Sequence, residues 1–140
     1  MKITLATIGK FHNKVLLDIA KKYTQRIRAF VSVEIVSFKT EQKFLEKVGP
    51  RDEVVLLEER GQTFSSPDFA KRIYQFQLRG IPHLIFVVGP AEGFSETTKN
   101  KGFSKISLSS MTLQHEQAFL ILTEQLYRAF TLLKNIPYHK

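Results

Sequence analysis

Three stretches combine glycine, charged and hydroxyl side chains directly after apolar runs: Glu58-Glu59-Arg60-Gly61-Gln62, Gly89-Pro90-Ala91-Glu92-Gly93 and Ser109-Ser110-Met111-Thr112-Leu113-Gln114. In an open parallel sheet, ligands collect beyond the carboxyl ends of the strands, where such loops meet. Gly89 carries no Cβ, so a ligand can approach its backbone closely. The spacing matches neither G-x-G-x-x-G nor a Walker A loop, since the glycines are misplaced and no Lys-Ser/Thr follows. By residue type the Gly89–Gly93 stretch reads either as a plain strand-to-helix turn or as a binding loop. Leu108–Leu113, apolar with interspersed hydroxyls, reads either as a wall for a planar, weakly polar ring or as an irregular core crossing. A second chemically able group ends the chain: Pro137 stiffens it, and Tyr138 and His139 are both capable of proton transfer or base contacts. His115 suits a structural or a functional role equally; His12 and His83 are assigned to structure.

These groups need a frame, and strand-like and helix-like segments alternate along the whole chain. Lys2–Ile8 is a first strand. Asn13 caps a helix reaching about Arg28, with Val15, Leu16, Ile19, Tyr23 and Ile27 on one face. Val31–Phe38 alternates as a half-buried strand, and Glu41–Val48 forms a short helix stopped by Gly49-Pro50. Val54–Leu57 is a strand covered on both faces. Ser66 caps the next helix, with Pro67 at its first position. Leu84–Val88 is the most hydrophobic strand and is placed at the centre. Ser95–Asn100 is a short helix, Lys105–Leu108 a last strand, and His115–Leu133 a long final helix. All seven glycines are expected between elements. This order indicates one α/β domain over residues 1–140, with a mainly parallel sheet flanked by helices.

The final helix is unusual. From Ala118 to Leu133, 11 of 16 residues are apolar and they surround it, which indicates burial on more than one side and suggests a homodimer interface. Glu124 and Arg128, four residues apart, are positioned to pair.

Composition narrows the partners. The chain has 140 residues, 43% of them hydrophobic, so it can build a core. No apolar run approaches the ~18 residues of a membrane span, and the apolar start is too short for a signal segment. No cysteine occurs, which excludes disulfides, Cys-based zinc sites and thiol catalysis; no metal is expected, and a cytoplasmic location fits. The net charge is +8, and residues 1–28 hold seven basic side chains (Lys2, Lys10, Lys14, Lys21, Lys22, Arg26, Arg28) against Asp18 alone. Such a face attracts polyanions, nucleic acid foremost.

Taken together, Gly89–Gly93, Leu108–His115, Glu124-Gln125-Leu126-Tyr127-Arg128-Ala129-Phe130 and Pro137–Lys140, with Met1–Lys10 and Val54–Gly61, resemble the bacterial ribosomal RNA large subunit methyltransferase H family, trefoil-knotted enzymes of the SPOUT class. The resemblance implies a deep C-terminal knot and a homodimer. It also implies methylation of N3 of a pseudouridine in 23S rRNA on assembled ribosomes, with S-adenosylmethionine as donor. It places the cofactor against Leu57, Gly89, Leu108, Ser109, Ser110, Met111, Thr112 and Leu113. It gives Tyr138 and His139 catalytic parts at the partner subunit's cofactor, with His139 the better base by type. Lys14, Lys21, Lys22, Arg26, Arg28 and Arg128 are the expected RNA contacts. Two positions depart from the family pattern: Pro90, where a second glycine is common and a backbone donor is lost, and Phe119, where Arg is frequent. The rivals are a non-catalytic RNA-binding or assembly factor on the same scaffold, and a flavodoxin-like nucleotide binder. The latter lacks a phosphate-cradling loop, since Gly9-Lys10-Phe11-His12 has one glycine.

Overall fold

The computed structural model describes residues 1–140. Five segments form strands: β1 (Lys2–Ile8), β2 (Ser32–Phe38), β3 (Asp52–Thr63), β4 (His83–Val88) and β5 (Ser104–Ser107). Between them run α1 (Lys14–Ile27), α2 (Glu41–Lys47), α3 (Ser66–Leu78), α4 (Glu96–Lys99) and, last, α5 (His115–Leu133). All strand pairs are parallel, in the order β2-β1-β4-β3-β5. β4 is the central strand and is buried from Leu84 to Val88, as a strand covered on both faces must be.

The pleat sorts the core into two layers. Ile3, Leu5, Leu84, Phe86 and Val88 face α1, α3 and α5, whereas Ala6, Ile8, Val54, Ile85 and Val87 face Phe44 of α2 and Phe94. α5 packs against both α1 and α3 over the sheet. Its Phe119 meets Phe11 edge-on at 5.5 Å, and Phe130 stacks on Phe30 at 5.7 Å. That three-sided setting inside one chain accounts for most of the apolar surface around α5. Ile121, 37% exposed, is the large aliphatic side chain on α5 left at the surface.

Three expectations change. The cap of α3 is Ser65, whose hydroxyl accepts from the Asp68 amide at 3.2 Å, so Pro67 stands at the second helical position. Ser66 instead donates to Gln125 Oε1 at 2.6 Å, tying α3 to α5. β5 begins and ends one residue earlier than the apolar pattern indicates, which frees Leu108 for the loop. Most consequential, β3 does not stop at Leu57. Leu57 and Gln62 both pair with Ile106, so residues 58–61 bulge out and the strand resumes. Gly61 therefore lies inside an element. A Cβ there would stand 2.6–2.7 Å from backbone atoms of Lys105 and Ile106, so the two strands require a glycine.

At the carboxyl end of the sheet, Glu116 in the first turn of α5 is 5% exposed and accepts from the backbone amides of His12 (2.5 Å) and Asn13 (3.0 Å). Burial alone raises its carboxyl, but the two amides outweigh this and hold it below the ordinary value of 4.5. A lowered folded value means stability that is full above the ordinary value and is lost as pH falls through the folded one. Glu116→Gln should therefore cost about 2 kcal/mol at neutral pH. The gap to wild type should shrink as pH falls below the ordinary carboxylate value, as urea midpoints at neutral and acid pH will show.

Candidate active site

The carboxyl ends of β3, β4 and β5 open into a cleft of about 680 Å³, within the range of small-molecule sites. Its walls are the bulge Glu58–Arg60, the turn Gly89–Phe94, and the segment Ile106–Leu113 leading to His115 and Ala118 of α5.

Each wall is fixed by its own local chemistry. In the second, Gly93 takes φ +86° and its amide donates to the Pro90 carbonyl at 2.8 Å, closing a turn that needs glycine there. In the third, Ser107 donates to the Ser109 carbonyl at 2.7 Å, and the Met111 amide donates to Ser109 Oγ at 2.9 Å. These two hydroxyls thus hold the loop's own backbone. Thr112 donates to Glu59 Oε1 at 2.6 Å, joining the third wall to the first. Glu58, Glu59 and Glu92 set three carboxylates around the cleft against the cations of Arg60 and Lys99.

Of the positions expected to hold a cofactor, Leu57, Gly89, Leu108, Ser109, Met111, Thr112 and Leu113 line this one cleft, and Ser110 does not. Gly89 earns its place for a different reason than its sequence context indicates. The space where its Cβ would project is filled by the Phe94 ring, at 3.1–3.2 Å, so a larger side chain here would crowd that ring. Glu58, Glu59, Glu92 and His115, which lie in or beside the stretches singled out in the sequence, also line the cleft, whereas Lys99 of α4 was not indicated. Phe119, the other departure, is fully buried, so that position cannot touch RNA.

The chain end is organised elsewhere. Asn135 adopts φ +55°, a left-handed conformation that asparagine tolerates, and the Ile136 amide donates to the Thr131 carbonyl at 2.9 Å. The tail so reversed lays Tyr138 edge-on against Tyr127, with ring centres 4.8 Å apart. The Tyr138 hydroxyl donates to Glu124 Oε1 at 2.9 Å, and Arg128 Nη2 donates to the same oxygen at 2.6 Å. Arg128 Nη1 lies 3.0 Å from His139 Nδ1, and its guanidinium sits over the Tyr138 ring at 5.0 Å. Burial first, then its bonds to Glu124 and Tyr23, push the Tyr138 phenol well above its ordinary 10. Neither Tyr138 nor His139 lines the cleft of its own chain.

Of the expected RNA contacts, Lys14, Lys21, Lys22, Arg26 and Arg28 are exposed on α1 and at its end. Arg26 spans the rings of Tyr23 and Tyr127, each at 5.7 Å. Arg128 stands apart: its side chain is 22% exposed and occupied by Glu124.

A parallel five-stranded sheet with a loop-walled cleft at its carboxyl edge is shared by many nucleotide and cofactor binders, so the class rests on comparison. Residues 1–139 match the family described as "Predicted SPOUT methyltransferase", and the chain belongs to that family. Two curated relatives narrow the likeness. The chain is 41% identical to a protein of Flavobacterium psychrophilum, with 99% of each covered, and 33% identical to one of Streptococcus pneumoniae, with 100% of each covered. Both are named ribosomal RNA large subunit methyltransferase H. Among solved structures, a probable methylase family protein from Haemophilus influenzae superposes with a TM-score of 0.65 at 10% identity, covering 99% of this chain and 70% of that one. TrmJ from Z. mobilis does so with a TM-score of 0.53 at 10% identity, covering 94% and 70%. These two confirm the fold. No helix is long and apolar enough to cross a membrane, and no group of His, Asp or Glu is arranged to hold a metal.

Proposed function

We propose that residues 1–140 act as one domain that methylates N3 of a pseudouridine in 23S rRNA, on assembled ribosomes in the cytoplasm, with S-adenosylmethionine as methyl donor. The observation that carries this is the single cleft built by all three strand-end walls, in a chain whose full-length relatives bear the rRNA methyltransferase name.

The walls fit the cofactor. Leu57, Leu108 and Leu113 offer apolar surface, the backbone around Gly89 and Ser109 offers polar groups, and Glu58, Glu59 and Glu92 suit a cationic ligand. Bound there, the cofactor supplies a methyl group on a positively charged sulfur. The protein's share is to hold the ring nitrogen in line with that methyl group and to exclude water, an ordering that can supply several kcal/mol. The C-terminal knot that the resemblance implies belongs to this reading. It is supported by the match of residues 1–139 to the SPOUT methyltransferase family.

The functional unit is a homodimer. Val15 at 68%, Ile19 at 36% and Ile121 at 37% exposure leave apolar side chains on α1 and α5 for a second copy. Because a tail does not reach its own cleft, Tyr138 and His139 serve the partner's. The exposed cations of α1 hold rRNA phosphates, which supplies affinity and position without sequence readout. Reversing Lys21 and Lys22 to Glu should reduce the slope of log K against log salt by about 0.7–0.9 per lost contact in ribosome-binding titrations, and an unchanged slope removes these lysines from the interface.

The function itself is tested by incubating protein, ribosomes and the cofactor, then mapping methyl groups on 23S rRNA fragments by mass spectrometry. A methylated pseudouridine is expected. Binding of ribosomes without cofactor heat or methyl transfer would instead mark a non-catalytic assembly factor.

A further inference from the structure

The bonding around the tail decides which nitrogen of His139 carries a proton. An arginine guanidinium has donors and no acceptor, so at 3.0 Å from Arg128 Nη1 the His139 Nδ1 must offer its lone pair. The imidazole proton then sits on Nε2, and a second proton on Nδ1 would break the bond. Tyr138 is committed likewise: its hydroxyl proton goes to Glu124, so it has no need to accept one. Glu124 Oε1 is the common acceptor of Tyr138 and Arg128, and Gln125 Nε2 donates to the other oxygen at 3.0 Å. The carboxylate and guanidinium are 19% and 22% exposed, enclosed enough to keep one arrangement. His139 is exposed at the end of this relay, with its Nε2–H unclaimed by any other side chain. The charged and titratable groups around it are Glu124, Arg128 and Tyr127 of α5, Tyr23 and Arg26 of α1, and the flanking Tyr138 and Lys140.

We propose that Glu124 and Arg128 are positioning residues that present His139 as a hydrogen-bond donor, through Nε2–H, to the anion that forms on the target base. The inference rests on the reading above that the tail takes part in methyl transfer, and it replaces the expectation of His139 as proton acceptor. The N3 proton of the pyrimidine leaves to solvent before water is excluded from the site, and in the transfer step the freed electron pair forms the N–CH3 bond. The pair of the broken C–S bond stays on sulfur. The donor stabilises the negative charge while it exists, as an oxyanion-type contact does.

Glutamine separates the two roles, because its amide donates from nearly the position of Nε2 but takes up no proton. His139→Gln is expected to keep turnover within about tenfold of wild type, and His139→Ala to lose about 10²-fold or more. The rate should rise with pH in parallel for wild type and His139→Gln, following ionisation of the base. Glu124→Gln, which weakens the hold on Arg128, should lower kcat with little change in KM for ribosomes. On the protein alone, long-range ¹H–¹⁵N correlation should find His139 Nε2 protonated and Nδ1 bare. A Gln variant as inactive as the Ala variant, or a proton found on Nδ1 of neutral His139, overturns the proposal and leaves the tail's involvement standing. Full activity after removal of residues 137–140 overturns both.

Discussion

Deleting residues 137–140 is expected to reduce methyl transfer by about 10³-fold or more while leaving cofactor affinity within about twofold. The two halves of this expectation come from different parts of the molecule. The cleft proposed to hold the cofactor is lined by residues between Leu57 and Ala118, none of them in the tail. The tail carries the His139 imidazole that the proposed function assigns to the target base, and it is tied to α5 through Glu124 and Arg128. Losing positioned proton-handling or donor groups commonly costs 10²–10⁴ in rate, and loss of ordering adds to this. The fold should survive. Tyr138 is half-buried, and its edge contact with Tyr127 contributes on the order of 1 kcal/mol, whereas the Glu124–Arg128 pair remains. Calorimetry with the cofactor and single-turnover methylation of ribosomes measure the two halves separately. A truncation that turns over normally would remove the tail from the mechanism. One that loses cofactor affinity would show that the tail builds the cleft.

The scaffold was readable in the sequence where one chemical signal dominates. A parallel strand buried on both faces reads as a continuous apolar run, which is why β4 was located at the centre, and α5 was bounded at His115 and Leu133 as observed. Asn13 marked the start of α1, since its side chain accepts from the Leu16 amide at 3.1 Å. Signals failed where the decisive partner is distant in the chain. Glu58-Glu59-Arg60-Gly61-Gln62 has the composition of a loop, and only pairing with β5 across a bulge makes its end a strand. The three site loops were legible because glycine and hydroxyl residues cluster there. The bond between Thr112 and Glu59 was not, since 53 residues separate the two. The return of the tail had one local sign, Asn135 just past the helix, where a left-handed residue ends helices. The pairing of Glu124 with Arg128 was legible from their spacing of four, but nothing local indicated that Tyr138 would share the same oxygen. At Gly89 the glycine was legible but its neighbour was not, since the Phe94 ring that stands 3.1–3.2 Å from the place of a Cβ lies outside the glycine-rich stretch.

Gly61→Ala should destabilise the protein by about 3 kcal/mol and weaken cofactor binding at least about tenfold. A methyl group at this position would project to 2.6 Å from the Ile106 carbonyl carbon and 2.7 Å from the Ile106 nitrogen and the Lys105 carbonyl carbon. Those are backbone atoms of a paired strand, so no side chain can rotate away; β3 or β5 must move. Displacing β5 strains the pairs Leu57–Ile106 and Gln62–Ile106 that flank the bulge. The next residues of that strand, Ser107 and Leu108, are cleft wall, and Glu59 within the bulge holds Thr112. A shift at Gly61 therefore reaches two of the three walls together, which is why binding should suffer along with stability. Gly49→Ala is the matched control: a Cβ there meets only Asp52 Oδ2 at an ordinary 3.5 Å, and both urea midpoint and cofactor Kd should stay near wild type. If Gly61→Ala unfolds at the wild-type urea concentration and binds the cofactor equally well, β3 and β5 do not need their close approach. The bulge would then be incidental to the cleft rather than its foundation.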